Sequence, residues 1–546
     1  MGFRKHRLLG NQGFITQDAV SGFLVFLLAL PLSLGIARAS DFPPVMGLIT
    51  AMIGGLVVSL IAGSPLTIKG PAAGLIVIVA GAVAELGQGD TQLGWKYALG
   101  AVVIAGFIQV LFGLIRLGSL VDFFPLSAVH GMLAAIGISI ISKQSHILLG
   151  VNPVNEAGKS LTSPFELLAA LPQSLASLFG SVGNAHNAAL LGLTSLLIVL
   201  IWPRLKFPIL RKIPAPVMVL LVAIPLGKIW KLDRSQLVHF DQSLSDILAV
   251  NVDFEGMNQT GVFLKFVLMF ALVGSLESLL TVKAIDQIDP LHRKSKTNLD
   301  LIAVGAGNIL AGIFGGLPMI SEVARSSANV HNGAKSRWAN FFHGLFIMCF
   351  LLLDLQFNDL IPIPALAAML IGVGIKLASP REFGRMANIG REQLTVFCVT
   401  IIVTLASDLL IGIGAGIVTK LITQYFLGAP LRTMFKAHTF RKGNTLKVAG
   451  AAVFSNWLGI RRNLDQIPSQ TQACIDLSTC NLVDFTVINN LHHLQAEFSH
   501  AGGCLSILGL DEFRNATRGN HAHATRNKPK RKRKNLDDAV IQMHQE

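Results

Sequence analysis

Long apolar runs recur along the chain from Asp18 to Leu427, broken by short polar connections. A helix needs about 20 apolar residues to cross the hydrocarbon core of a bilayer. The pattern predicts spans near residues 18–37, 44–62, 71–86, 98–115, 125–142, 187–202, 215–230, 261–282, 298–314, 318–331, 337–353, 360–377, 393–408 and 411–427. The third and tenth are short and begin at Pro71 and Pro318.

The charges agree with this series. With the N-terminus inside, the even-numbered connections are cytoplasmic and should collect Lys and Arg. They hold Arg116; Arg204, Lys206, Arg211 and Lys212; Lys283, Arg293, Lys294 and Lys296; Lys335 and Arg337; and Lys376, Arg381, Arg385 and Arg391. The odd connections carry mostly acids, among them Asp41, Asp90, Glu156, Asp246 and Asp359, with Lys228, Lys231 and Arg234 as the main exceptions. Both termini are expected in the cytoplasm. The basic N-terminus has no cleavage site before the first apolar run and is expected to be retained.

Seven spans precede an acidic loop at 232–258 and seven follow it. Seven is odd, so equal halves insert with opposite orientation. The two Pro/Gly-interrupted spans are each third in their half, and such a pair in an inverted repeat points to a transport site near the midplane.

After residue 430 the pattern changes. "ACIDLSTC" (473–480) reads as a buried strand, 483–503 as a helix closed by glycines and "CLSILGL" (504–510) as the next strand. This βαβ order predicts a small soluble α/β domain over 438–513. Residues 514–546, with "KPKRKRK" at 528–534, read as a basic disordered tail. The expected fold class is an α-helical polytopic membrane protein. It has a cytoplasmic segment 1–17 and a transmembrane domain 18–430, built as a 7+7 inverted repeat (about 18–231 and 259–430) with half-helices at spans 3 and 10.

Composition excludes a soluble enzyme. Of 546 residues, 52% are hydrophobic and only 14% charged, where a soluble domain is about a quarter charged. The 52 glycines suit helices that approach closely in a membrane. The net charge of +14 does not imply nucleic acid, because cytoplasmic loops and tails collect cations and no aromatics are interleaved in the basic tail. Cys349, Cys398, Cys474, Cys480 and Cys504 show no metal-ligand spacing and read as free thiols in a reducing compartment.

Three segments carry candidate chemistry. In "SPLTIKGPAAGLIVIV" (64–79), Gly70-Pro71 breaks the chain, and Ala72, Ala73 and Gly74 leave first-turn N–H groups open to an anion. The alternative is a proline kink with small residues for packing. In "GGLPMISEVARSSANVHNGA" (315–334) the same logic recurs, and Ser321, Glu322, Arg325 and Ser326 are too polar for a lipid-facing span. Arg325 either adds positive charge behind an anion site or forms a structural ion pair with Glu322 or Glu277. In "GSLESLLTVKAID" (274–286), Glu277 and Thr281 share a helix face and suit Na⁺ or a proton. The alternative there is a carboxylate tied to Arg325 for packing. His130 reads as packing, Lys143 and His146 as loop surface, and His492 and His493 as an exposed helix face. No nucleophile–base pair or metal cluster appears in the soluble part.

These segments, with "DAVSGFLVFLLALPLSLGIARAS" (18–40), resemble the SulP (sulfate permease) family of anion transporters over roughly 14–510. The resemblance implies a core domain of spans 1–4 and 8–11, a gate domain of spans 5–7 and 12–14, elevator movement and a homodimer. It assigns substrate contacts to Ala72, Ala73, Ser321, Glu322, Val323 and Arg325, and cation coupling to Glu277 and Thr281. Ala72 stands where sodium-dependent bicarbonate members have a hydroxyl, and Glu277 where they have Asp. Both departures weigh against sodium–bicarbonate symport and leave proton coupling open. The C-terminal region is similar to a STAS domain, with Asp484-Phe485-Thr486-Val487 in place of its Asp-Ser-Ser-Gly turn and Thr486 nearest to the phosphorylatable serine of soluble relatives.

The expected function is secondary active transport of sulfate or bicarbonate across an inner membrane, coupled to H⁺ or Na⁺. An uncoupled exchanger or channel, or a dicarboxylate carrier, is the alternative on the same fold. A membrane sensor signalling through the STAS-like region is a third reading. No cofactor, metal or nucleic-acid partner is expected beyond the anion, a coupling ion and membrane lipid.

Overall fold

The structure is a computed structural model that describes residues 12–153, 161, 163–180, 184–205, 213–239, 249–353, 360–515 and 525–528. Among these, eight helices are long and apolar enough to cross a membrane, and shorter apolar helices accompany them. Large apolar side chains such as Leu114, Phe107, Ile229, Ile402 and Phe426 stand outward, more than half exposed. Water would disfavour that surface, whereas lipid accommodates it.

The helices fall where the hydropathy pattern puts them. They are α1 (Gln12–Ala39), α2 (Pro44–Ile53), α3 (Ile76–Leu86), α4 (Thr91–Leu114), α5 (Leu126–Leu148), α6 (Pro164–Gly180), α7 (Asn184–Ile201), α8 (Ala215–Ile229), α9 (Thr260–Ile288) and α10 (Thr297–Ile313). There follow α11 (Val323–His331), α12 (Trp338–Leu352), α13 (Ile363–Leu377), α14 (Pro380–Ile389), α15 (Arg391–Ala406), α16 (Leu409–Phe426) and α17 (Leu431–Phe435). The helix α6 was not among the expected spans, because Glu166, Pro172 and Gln173 interrupt its hydropathy. The helices α14 and α17 are likewise additions.

Two compact units emerge: Met1–Gly118 with Ile136–Leu377, and Ser119–Ala135 with Ala378–Glu546. In the first, glycines let helix backbones meet. A Cβ on Gly106 would lie 2.8 Å from the Gly305 carbonyl oxygen, and one on Gly55 would lie 2.4 Å from Gly344 Cα. The α4–α10 pair, and the contact of the π-helical turn Gly54–Val58 after α2 with α12, depend on these small residues. His146 and Lys143 are not loop surface. Both lie in α5, where His146 is fully buried between Ser174 Oγ and the Leu167 carbonyl, each 2.8 Å away. Lys143 pairs with Asp41 at 3.1 Å.

The second unit joins α14 to α17 with a six-stranded sheet. Its strands are β3 (His438–Lys442), β4 (Thr445–Ala452), β5 (Gln472–Val483), β6 (Cys504–Leu508), β7 (Arg514–Asn515) and β8 (Arg526–Asn527). The sheet is mixed: β5 pairs in parallel with β4 and β6, and antiparallel with β8. The helices α18 (Trp457–Leu464) and α19 (Phe485–His500) supply the remaining layer. Trp457, Ile475, Leu477, Leu491 and Phe498 are among its buried core. The sequence-read strand–helix–strand order is present as β5–α19–β6. This strand-containing region fits a STAS-like domain.

Thr486 is buried, with its hydroxyl accepting from the Leu126 N–H at 3.4 Å, so it is not displayed as a phosphoacceptor. Parts of the tail expected to be disordered form strands instead: β7 and β8 both fall within 514–546, and β8 lies between β5 and β7 in the sheet. The remainder of "KPKRKRK", and the N-terminal residues 1–11, lie outside the described residues. So do Glu156, Lys206, Arg211, Lys212, Asp246 and Asp359 of the charge pattern.

Candidate anion site

Two chain breaks build the site. Pro71 and Pro318 prevent a continuous helix, and the freed backbone forms short strands, Lys69–Pro71 and Met319–Ser321, here called βa and βb. They pair antiparallel in the register Lys69↔Ser321, Gly70↔Ile320 and Pro71↔Met319. Such irregular backbone is tolerated at membrane depth only inside protein, and every residue of both strands is buried. Gly315 (φ 88°) supplies the left-handed turn between α10 and βb.

Each strand feeds a half-helix. After βa come Ala72, a 3₁₀ turn at Ala73–Leu75 and then α3. After βb, Glu322 caps α11 by accepting the Arg325 N–H at 3.0 Å. Further bonds tie the crossing: Glu322 N–H to the Ile68 carbonyl at 3.0 Å, Ile68 N–H to Ser326 Oγ at 2.9 Å and Asn329 Nδ2 to the Leu66 carbonyl at 2.9 Å.

The carboxylate of Glu277 stands against the first of these helix starts. A Cβ on Gly74 would be 2.2 Å from Glu277 Oε1 and 2.3 Å from Oε2, so only glycine leaves the carboxylate this room. Glu277 is buried, and its Oε1 meets no hydrogen-bond partner among the described residues. Thr281 is buried one turn on. Both half-helix N-termini thus carry a carboxylate, Glu277 at Gly74 and Glu322 at α11, and the two act on each other electrostatically. A helix N-terminus favours negative charge.

Arg325 is fully buried, with Nε 3.8 Å from Glu322 Oε2. Its guanidinium nitrogens have no hydrogen-bond partner among the described residues, and Nη1 lies where a Cβ on Gly70 would be 2.6 Å away. Of the residues expected to contact substrate, Ala72, Ala73 and Glu322 line the strand-to-helix turns and are buried, while Val323 is half exposed. The Ser321 hydroxyl is engaged internally: Lys69 Nζ donates to it at 2.6 Å and Ser278 Oγ at 3.0 Å.

Sequence reasoning missed the framework behind the site. Lys69 Nζ is 2.9 Å from both carboxylate oxygens of Asp300 and 2.7 Å from Thr67 Oγ1. Asn308 Nδ2 bonds Gln109 Oε1 at 2.7 Å, and its Oδ1 accepts the Met319 N–H at 2.6 Å. The signal was present in part, since an ionisable residue within a span is a functional hypothesis by default, and Lys69 stands inside the motif around Gly70-Pro71.

Residues 15–400 match the Sulfate permease family. The chain belongs to that family. Its members are transporters and not enzymes. The chain is 27% identical over 404 residues to the putative sulfate transporter YvdB of Bacillus subtilis, covering 73% of this chain and 72% of that protein. It is 24% identical to the bicarbonate transporter BicA of Synechocystis, covering 73% and 68%. The fold is shared with the transmembrane domain of a cyanobacterial BicA, at a TM-score of 0.62, 22% identity, and 73% and 97% coverage. It is shared also with SLC26A9, at a TM-score of 0.67, 15% identity, and 91% and 85% coverage. In this sulfate permease family member, the paired half-helices and Arg325 form the candidate anion site, with Glu277 at its edge.

Proposed function

We propose that the protein is a secondary active transporter of small inorganic oxyanions, sulfate or bicarbonate, in an inner membrane with both termini cytoplasmic. One observation supports cation coupling, the Glu277 carboxylate against Gly74 at the start of a half-helix. While ionised, Glu277 occupies the donor-rich end that an oxyanion needs and, with Glu322, repels it. A proton or Na⁺ on Glu277 removes that charge, and the helix N-terminus then favours the incoming anion. Thr281, one turn away, supplies a hydroxyl for the bound cation. Arg325 offsets Glu322, so once a cation sits on Glu277 the site's side chains carry no net charge, and the charge of the entering anion is met by the two half-helix N-termini.

Ala72 and Ala73 leave the backbone N–H groups approachable. The resemblance to transporters of this architecture supports elevator movement of the half-helix domain and a homodimer. The test is sulfate uptake into proteoliposomes with and without an inward proton gradient, for wild type and Glu277→Gln. Uptake should rise with the gradient in the wild type and lose that dependence in the variant. Gradient-driven uptake unchanged in Glu277→Gln overturns the coupling role, and gradient-independent flux in the wild type favours an uncoupled exchanger. Absence of sulfate uptake in either condition moves bicarbonate with a sodium gradient to first place.

A further inference from the structure

Between Ala339 and Leu352 of α12, Asn340 and His343 are the only residues whose side chains carry nitrogen or oxygen. They stand one turn apart on one face of the helix, and both are buried. Asn340 spends its amide on the Gly54 carbonyl, 3.1 Å away, in the π-helical turn after α2. Its Oδ1 and both ring nitrogens of His343 meet no hydrogen-bond partner among the described residues. Burying polar atoms in this way is costly unless something pairs with them.

Contacts through α1 and α2 bring this face toward Arg325. On α1, Ser21 Oγ donates to Asn329 Oδ1 at 2.7 Å, one turn beyond Arg325 on α11. Its neighbour Gly22 packs on α12, where a Cβ would lie 3.0 Å from the His343 backbone nitrogen. After α2, a Cβ on Gly55 would lie 2.8 Å from the Asn340 carbonyl oxygen. One turn earlier, Ala51 adjoins Gly70 of βa: a Cβ there would lie 3.8 Å from Ala51 Cβ and 2.6 Å from Arg325 Nη1. Both helices therefore touch the Asn340–His343 face at one point and the surroundings of Arg325 at the next. His343 and Arg325 act on each other electrostatically.

Arg325 needs a neighbour of this kind. A guanidinium has five N–H donors in a rigid fork, and an oxyanion takes two of them side by side. Glu322 Oε2, 3.8 Å from Nε, is too far to accept a hydrogen bond. Without an acceptor on the protein side, the long side chain can turn its fork away from the anion. An imidazole in its neutral form offers one acceptor, and Asn340 Oδ1 offers a second. One water can join these groups to the guanidinium, since a buried water typically makes about three hydrogen bonds to otherwise unsatisfied polar atoms.

We propose that His343 is a positioning residue for Arg325: with Asn340 it holds a buried water that accepts from the inner guanidinium N–H groups and keeps the outer pair aimed at the anion. The inference rests on the reading of Arg325 as an anion contact.

The first test is the KM and maximal rate of sulfate uptake into proteoliposomes, with bicarbonate in its place if sulfate is not carried. His343→Phe keeps the bulk of a ring and removes its nitrogens. It should raise KM about tenfold, the worth of one hydrogen bond to a charged group, and leave the maximal rate within about twofold. His343→Gln, which retains an acceptor and a donor, should stay within about threefold of the wild-type KM. A wild-type KM in His343→Phe overturns the proposal. So does an equal rise in both variants, which marks a packing role. The second test needs no transport: melting temperatures in detergent for His343→Phe, Arg325→Met and the double variant. Residues that share a water are coupled, so the double variant should lose clearly less than the two single losses together. Additive losses overturn the proposal. If the wild type carries neither anion, the proposed function fails, and the melting temperatures still decide whether His343 and Arg325 are joined. Should His343→Phe not fold, His343→Leu takes its place in both tests.

Discussion

Lys69 and Asp300 form a fully buried ion pair in which the ammonium stands 2.9 Å from both carboxylate oxygens. The pair joins the strand before one half-helix to α10, and through Ser321 it reaches the strand before the other. Lys69 spends its donors on Asp300, Thr67 and Ser321. The pair is therefore framework for the site. Removing one partner of a buried pair typically costs about 3–5 kcal/mol, because the other charge is stranded, whereas replacing both by apolar groups costs far less. Lys69→Met should lower the melting temperature in detergent sharply, and Lys69→Met/Asp300→Leu should recover much of the loss. A double variant no more stable than the single one would refute this reading.

The contact between Gly74 and Glu277 gives a second prediction. A methyl group at Gly74 would overlap the carboxylate, so Gly74→Ala must move either the helix start or Glu277. Overpacking of this kind costs about 1–3 kcal/mol. Gly74→Ala should lose most transport, and adding Glu277→Ala should restore folded yield without restoring gradient-driven uptake. Normal coupled uptake by Gly74→Ala would show that the carboxylate does not need its observed place.

A third concerns Lys420. Its ammonium, fully buried, lies 3.2 Å from Asp484 Oδ1 as well as near Glu392. Asp484 also caps α19 through the Thr486 N–H at 3.1 Å and accepts Gln424 Nε2 at 2.8 Å. One cation thus ties α15 and α16 to the start of α19. Lys420→Met strands two carboxylates and should raise hydrogen exchange across Asp484–Val487 by at least about tenfold, with Asp484→Asn milder because a polar cap remains. Unchanged exchange in Lys420→Met would rule out this linkage.

The spans were legible because lipid demands a long apolar run whatever the tertiary contacts, and the half-helices because Pro71 and Pro318 interrupt such runs. Glu277, Glu322 and Arg325 announced themselves as charges in apolar surroundings. What stayed hidden depended on pairing across the chain. Lys69 meets Asp300 only through the way βa, βb and α10 pack, and Lys420 meets Asp484 only once the sheet is built. His146 looked like loop surface because its partners, Ser174 and Leu167, sit on α6, whose polar residues mask it as a helix. The role of Thr525 was invisible because its hydroxyl is recruited by Gln393, far away in sequence.

Asp289 provides a pH test outside the spans. It follows the last turn of α9 and is held by Arg293, with Nε 2.7 Å from Oδ2 and Nη2 3.2 Å from Oδ1, while the Leu291 N–H donates at 2.9 Å. Arg293 also donates to the Lys335 carbonyl at 2.7 Å, so the clamp fastens the α9–α10 connection to the one after α11. Burial works against the ionised carboxyl, but the Arg293 and backbone donors outweigh it and hold Asp289 below the usual carboxylate range. A group whose folded pKa is depressed contributes its stability above the unfolded value, about 3.9 for Asp, and loses it as the pH falls through the folded value. Exchange protection of the Asp289–Ser295 connection should therefore be flat from neutral pH down to about 4 and then fall with acidification. In Asp289→Asn, protection should be lower at neutral pH and should lack the acid-dependent drop. In Arg293→Met, the drop should begin at higher pH, because the lost guanidinium no longer depresses the carboxyl. A wild-type profile identical to that of Asp289→Asn would show that the clamp does not hold the connection.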